Sequence, residues 1–168
     1  MKEKKDSLDL DDEDIYDEDD EDSQKDKYLT FCIASEDYGI EIRHVTEIIG
    51  IQKITEIPDM PEYINGVINL RGKVIPVMDV RARFHIERRE YDDRTCIVVV
   101  NVNEDSIGFV VDTVKEVVNI PANMVEPPPK SNKSGGGLFV NGLGKVGDEV
   151  KILLNVEQLI FDAELNSA

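Results

Sequence analysis

Gly142–Gly147 (GLGKVG) carries the GxGxxG spacing, by which a backbone turn comes close to a dinucleotide pyrophosphate. That chemistry needs a strand before the glycines, a helix after them and an acid about 20 residues on. Here the β-like run at 150–154 follows, and the chain ends 21 residues after Gly147. The glycines are therefore expected to permit a tight hairpin. Gly135–Gly137 lacks the Gly-Lys-Ser/Thr of a phosphate loop and reads as a linker. His44 and His85 have no second histidine or cysteine at ligand spacing, so surface positions are expected and no metal site. Cys32 and Cys96 form no CxxC and fall in strand-like runs, as reduced cytosolic cysteines do. No serine sits in a GxSxG elbow. No Asp/Glu pair stands out for acid–base work. The chain offers no catalytic residue, cofactor site or specific metal site.

One polar residue stands out. Gly66–Asp79 is apolar except for Asn69, Arg71, Lys73 and Asp79. Arg71 lies at a turn, between Leu70 and Gly72. A guanidinium there can present a forked donor set to a partner's carboxylate or carbonyls. Equally, it can pair with an acid of its own fold, such as Glu47. Val45 and Glu47 can face a partner or pack the fold.

The elements that must position these residues are short. From Tyr28 onward, strand-like runs are expected at 28–34, 38–42, 63–70, 73–80, 95–102, 106–111, 114–120, 138–143 and 149–154. Hairpin turns are expected at 35–37, 71–72 and 103–105. Residues 44–49 place Val45, Ile48 and Ile49 at helical spacing, which predicts one or two helical turns. Short turns of helix are also expected at 79–84 and 156–161. The near-continuous apolar run TCIVVVNV (95–102) suits a strand buried on both faces. Pro127–Pro129 predicts an extended connector and Ser131–Gly137 a loop. About nine or ten short strands with no long helix point to an all-β fold of one or two small barrels. The second half repeats the style of the first, which points to two similar lobes.

Charge divides the chain differently. Of 168 residues with formal charge −17, residues 1–27 hold 14 acids and five lysines. Those residues cannot bury enough apolar surface to offset backbone ordering, roughly 1–2 kcal/mol per residue. A disordered acidic tail is expected at 1–27 and a folded domain at 28–168. An acidic chain repels phosphate backbones and anionic lipid heads, which argues against nucleic acid as a partner. No apolar run approaches 18 residues, which argues against membrane insertion.

Five separated motifs resemble those of the CheW-type chemotaxis coupling proteins. They are Tyr38-Gly39-Ile40 with Val45-x-Glu47-Ile48; Gly66–Gly72 (GVINLRG); Ile75-Pro76-Val77-x-Asp79-Val80-Arg81; Gly108-x-x-Val111-Asp112; and Gly142-Leu143-Gly144 with Ile152–Glu157 (ILLNVE). The resemblance covers residues 28 to about 161. It implies two five-stranded SH3-like barrels packed around a shared apolar core, with short helices. It implies a non-catalytic cytoplasmic adaptor that joins membrane receptor arrays through its partners. Those would be the cytoplasmic tip of chemoreceptors and the regulatory domain of a CheA-type histidine kinase. A scaffold of the same fold for another kinase or receptor pathway is the alternative. By the same resemblance, Val45, Glu47 and Arg71 match receptor-contacting positions. Gly66 matches one where a larger side chain disturbs partner binding or a critical turn. The acidic tail has no counterpart in the family core.

Overall fold

The computed structural model describes residues 24–128 and 139–160. Most of the expected acidic tail, the loop expected at 131–137 and Phe161 of the helical turn expected at 156–161 lie outside them. Eleven strands follow in chain order: β1 (Lys27–Ile33), β2 (Glu36–Glu41), β3 (Val45–Gly50), β4 (Ile64–Leu70), β5 (Lys73–Asp79), β6 (Cys96–Val102), β7 (Asp105–Val111), β8 (Thr113–Asn119), β9 (Val125–Glu126), β10 (Val140–Val146) and β11 (Glu149–Leu154). One helical turn, α1 (Val80–Arg83), follows β5. Another, at 156–160, follows β11.

The strands form a six-stranded sheet, ordered β8-β1-β2-β11-β10-β9, and a five-stranded sheet, ordered β3-β6-β7-β5-β4. In the first, the edge strands β8 and β9 are consecutive in sequence, joined through the 3-10 turn Ala122–Met124. They are two arms of one bent strand, so five strands close a ring. The second closes the same way: beyond β3 the chain reaches Thr55, which bridges to Val67 of the opposite edge strand β4. Closure removes the open edges that such Val/Ile-rich strands would otherwise expose.

The lobes are not the halves of the chain. The hairpin β1–β2 joins β8–β11 in one barrel, and the hairpin β6–β7 joins β3–β5 in the other. Each half therefore contributes a hairpin to one barrel and the remaining strands to the other. The repetition extends to detail. β3 and β8 both carry a bulge against their hairpin partner, between Val45 and Glu47 and opposite Leu29–Phe31. β4 and β10 are bulged at Ile64/Gly66 and Val140/Gly142. Each helical turn has a side-chain cap: Asp79 Oδ1 accepts from Ala82 N at 3.2 Å, and Asn155 Oδ1 from Gln158 N at 2.9 Å.

Four hairpins turn on two residues. Ala34-Ser35, Arg71-Gly72 and Asn103-Glu104 all have positive φ at both positions, as a type I′ turn requires. In the fourth, the second of its two residues, Asp148, is not among the positive-φ residues, while Gly147 stands at φ 60°. The glycine-rich GLGKVG is thus a strand and hairpin.

Residues 44–49 depart from the helical expectation. A 3-10 turn occupies Ile42–His44, and Val45–Gly50 is strand. The bulge at Val45/Glu47 adds one residue and shifts the alternation. Val45 then packs toward the core between the barrels and Ile49 toward the core inside the second barrel. The helical spacing came from Ile48, an apolar side chain 43% exposed on the outer face of the strand. Likewise β6 serves two cores, with Val98, Val100 and Val102 in the shared core and Ile97 and Val99 in the barrel's own. Each such buried side chain contributes about 1.5–3 kcal/mol.

Candidate functional site

Arg71 stands at the tip of the β4–β5 hairpin with φ 54°. The turn that presents it is braced locally: Asn69 Oδ1 accepts from Gly72 N at 2.8 Å. Its guanidinium is 72% exposed and donates a two-pronged pair of bonds to Glu47, Nη1 to Oε2 at 2.7 Å and Nη2 to Oε1 at 2.6 Å. Such a parallel fork fixes the direction of the guanidinium as well as its position. Arg71's hydrogen bonds and charge hold the Glu47 carboxyl below its ordinary range, against a smaller opposing effect of desolvation. The intramolecular pairing left open by the sequence is therefore present, and it lies on the surface, where a partner's groups can still reach it. Because β3 and β4 are the two edges of the same sheet, the pair also clasps the mouth of that barrel.

Of the other site residues, Val45 lies on the same strand as Glu47 but is half-buried against the shared core. Gly66 is on strand β4, at its bulge, with φ +146°. It is not at a turn. A Cβ there would collide with the Thr55 carbonyl oxygen and stand 2.7 Å from the Thr55 carbonyl carbon. That carbonyl accepts from Val67 N at 2.9 Å, in the bridge that closes the barrel. The structure thus brings Glu47 and Arg71 together, and sets Gly66 against the closing strand.

Three features near the hairpin were not legible in the sequence. An apolar groove of about 360 Å³ opens at Lys73, lined among others by Met60, Ile64, Val74, Pro76 and Ile107 of one barrel and Ile160 of the other. Val74 in it is 62% exposed. It joins segments too far apart in sequence for any local pattern to reveal. A polar knot lies under a second cavity of about 390 Å³. Buried Asp79 accepts from Tyr91 Oη at 2.5 Å and Arg88 Nη1 at 3.3 Å, and Asn65 Nδ2 donates to Tyr91 Oη at 2.6 Å. Burial and the Asp79 hydrogen bond push the Tyr91 phenol far above its usual range. Third, Arg83 is 6% exposed and lies between the rings of Tyr63 and Phe139, 4.3 and 4.4 Å from their centroids, a desolvated cation–π sandwich.

The histidines part company. His85 is exposed, at φ 62°. His44 is no surface residue: its side chain is 12% exposed, with Nε2 3.3 Å from Glu41 Oε1. Among the described residues, no cluster of His, Cys, Asp and Glu is arranged to hold a metal. None of their helices is long and apolar enough to cross a membrane.

A family model described as the CheW-like domain matches residues 27–164. A curated relative, "Chemotaxis protein CheW" of Klebsiella aerogenes, is 34% identical over 139 residues, covering 83% of this chain and 84% of that protein. Another of the same name from Bacillus subtilis is 33% identical over 142 residues, covering 84% and 91%. The fold is similar to the crystal structure of the scaffolding protein TtCheW from Thermoanaerobacter tengcongensis. That match has TM-score 0.74 and 39% identity, and covers 80% of this chain and 91% of that one.

Proposed function

The chain belongs to the CheW-like family, and on that premise we propose that it is a non-catalytic coupling protein of bacterial chemotaxis signal transduction. It joins the cytoplasmic tip of chemoreceptors to the regulatory domain of a CheA-type histidine kinase. The chain acts in the cytoplasm and reaches membrane receptor arrays through these partners, with no cofactor.

The observation that carries the reading is the Arg71–Glu47 fork at the hairpin tip. Three features combine there: a cation 72% exposed, a two-residue turn that fixes its backbone, and an acid that fixes its side chain. A site held this way loses little further freedom on binding. The neighbouring groove between the barrels is apolar enough to take the apolar face of a helical hairpin, with Arg71 setting register at its rim. Val45 contributes through the position of β3. Gly66 acts through the barrel closure on which the hairpin stands.

Co-sedimentation with receptor-bearing membranes tests this. Arg71→Glu places two acids side by side, and receptor affinity is expected to fall about tenfold or more, chiefly through slower association. The fold should survive, because Arg71 projects from the hairpin tip with 72% of its side chain exposed. The reversed pair, Glu47→Arg with Arg71→Glu, restores the intramolecular bond but not the sign presented to the partner, so affinity should stay low. Unchanged receptor affinity in Arg71→Glu would overturn the site assignment. Failure of the full chain to bind a CheA-type regulatory domain would overturn the coupling role.

A further inference from the structure

A third cavity, of about 360 Å³, lies at the far end of β1, lined by Arg81, Arg89, Arg94, Lys115, Asp112 and Cys32 among others. Four cations thus face one carboxylate in a chain of net charge −17. The four are not equally occupied. Arg81 is spent: Nε and Nη2 fork onto Asp112 at 2.9 and 2.8 Å, and Nη1 donates to the Glu87 carbonyl at 2.7 Å. Lys115 lies 3.2 Å from Asp37, but Asp37 is shared with buried Lys151 at 2.7 Å. Arg89 leans on Asp92 at 2.7 Å and on Asp112 at 3.4 Å, and is 43% exposed. Arg94 is exposed, and its guanidinium has no hydrogen bond or ion pair with any described residue. With Asp92 and Asp37 counted at the rim, the cleft keeps a net positive charge, concentrated on Arg89 and Arg94.

We propose that this cleft docks the chain's own acidic N-terminal segment, residues 9–22, through Arg89, Arg94 and Lys115. Residues 9–22 contain 11 acids and no base. Such a block repels itself and seeks cations, and the cleft offers the partly paired Arg89 and the Arg94 guanidinium within reach of its tether. The reach is sufficient. β1 starts at Lys27 and the cleft adjoins Cys32, a separation of about 17 Å at 3.3 Å per strand residue. Residues 24–26 form a turn ahead of β1, with Asp26 O accepting from Ile120 N at 2.7 Å, so the tether is counted from Ser23. At up to about 3.3–3.6 Å per residue, about eight residues cover that distance and the turn, so Tyr16 and everything before it can enter, with 17–22 along the approach. A short tether raises the local concentration of the segment to the millimolar range, so weak individual contacts are enough. The inference does not depend on the coupling role.

The test is paramagnetic relaxation enhancement on the full-length chain. A nitroxide is attached at Ser7→Cys with Cys32→Ser and Cys96→Ser. At low salt, amide signals of Ala34, Ser35, Thr95 and Thr113, around the cleft, should be lost, while those of Val74 and Glu104, at the apolar groove, persist. Raising salt to 1 M shortens the Debye length from about 10 to 3 Å and should restore the lost signals. So should Arg89→Glu with Arg94→Glu at low salt. The unlabelled native chain supplies a second measurement free of cysteine replacement: its amides around the cleft should shift on salt addition, and those of the double variant should not. Broadening centred on another surface, or uniform broadening insensitive to salt, would overturn the proposal. So would an identical pattern in the double variant.

Discussion

Replacing Gly66 by alanine isolates the closure of the second barrel. The residue sits at φ +146°, a region only glycine occupies freely, and holding another residue there costs about 1–3 kcal/mol. The new Cβ also meets the Thr55 backbone, 2.7 Å from its carbonyl carbon and 3.0 Å from Cα of Glu56. Neither atom is the far end of a flexible side chain, so the strand through Thr55 must move away. That movement threatens two bonds, Thr55 N to Val67 O at 2.8 Å and Val67 N to Thr55 O at 2.9 Å, each about 1 kcal/mol net. The sum is a loss of about 3–5 kcal/mol. For a domain of this size that lowers Tm by roughly 8–20 °C. Thermal and urea unfolding of the full chain measure it. Gly142→Ala in the other barrel is a useful companion, because its Cβ meets Val125 Cγ1 at 2.7 Å, a side chain that can yield, and then the Glu126 carbonyl only at 3.2 Å. It should cost less. A Gly66→Ala protein within about 0.5 kcal/mol of the wild type, yet deficient in receptor binding, would refute the closure argument and make Gly66 a contact.

Asp112 ties three segments, accepting the Arg81 fork and Ala34 N at 2.8 Å. Asp112→Asn strands Arg81 in a largely buried place, and about 3 kcal/mol should be lost by chemical denaturation at neutral pH. Burial pushes the Asp112 carboxyl up, but Arg81, Ala34 N–H and Arg89 outweigh it and the net direction is down. The sign follows: this contribution is complete above the unfolded pKa near 3.8 and lost as pH falls through the lower folded value. The gap between wild type and Asp112→Asn should therefore be constant from pH 7 to about 5 and close on further acidification; a gap independent of pH would count against the assignment. Asp79→Ala removes the α1 cap and leaves the Tyr91 hydroxyl and Arg88 without their carboxylate, at about 3–5 kcal/mol. A spectroscopic titration should then show the Tyr91 phenol ionising at lower pH than in the wild type, and an unchanged titration would refute the link.

Much of the strand inventory is legible because its signals are local. Arg71-Gly72 and Asn103–Asp105 announce hairpins through residues tolerant of positive φ, and TCIVVVNV announces a doubly buried strand. Two expectations misled for different reasons. Exposed Ile48 beside Ile49 gave the strand at 45–50 an apolar spacing that read as helical. The turn role of Gly66 rested on the family resemblance, whereas the strand expected at 63–70 already contained it. β9 is two residues long, too short for any alternation. Of the site, the sequence exposed Arg71 and named Glu47 as a possible mate. The groove, the Asp79–Tyr91 knot and the basic cleft depend on segments brought together by closure, for which no local pattern exists.

The interleaving of the two halves bears on what the fold can do as an adaptor. Each barrel borrows its hairpin from the other half of the chain, so neither can close without both halves. Residues 27–84 alone would hold β1–β2 with no β8 or β11 beside them, and β3 and β5 with no β6–β7 between them. The most buried residues confirm the dependence: Phe31 and Ile40 of one barrel share their core with Val98 and Phe109 of the other. Such a molecule cannot loosen one lobe while keeping the second intact. Unfolding should be a single transition by every probe, and surfaces on different barrels keep a fixed relation. An adaptor that must hold two partners at a set distance needs that property more than it needs any pocket. Two resolved transitions, one reporting the shared core and one the second barrel's own core of Ile68, Val77 and Val110, would contradict it.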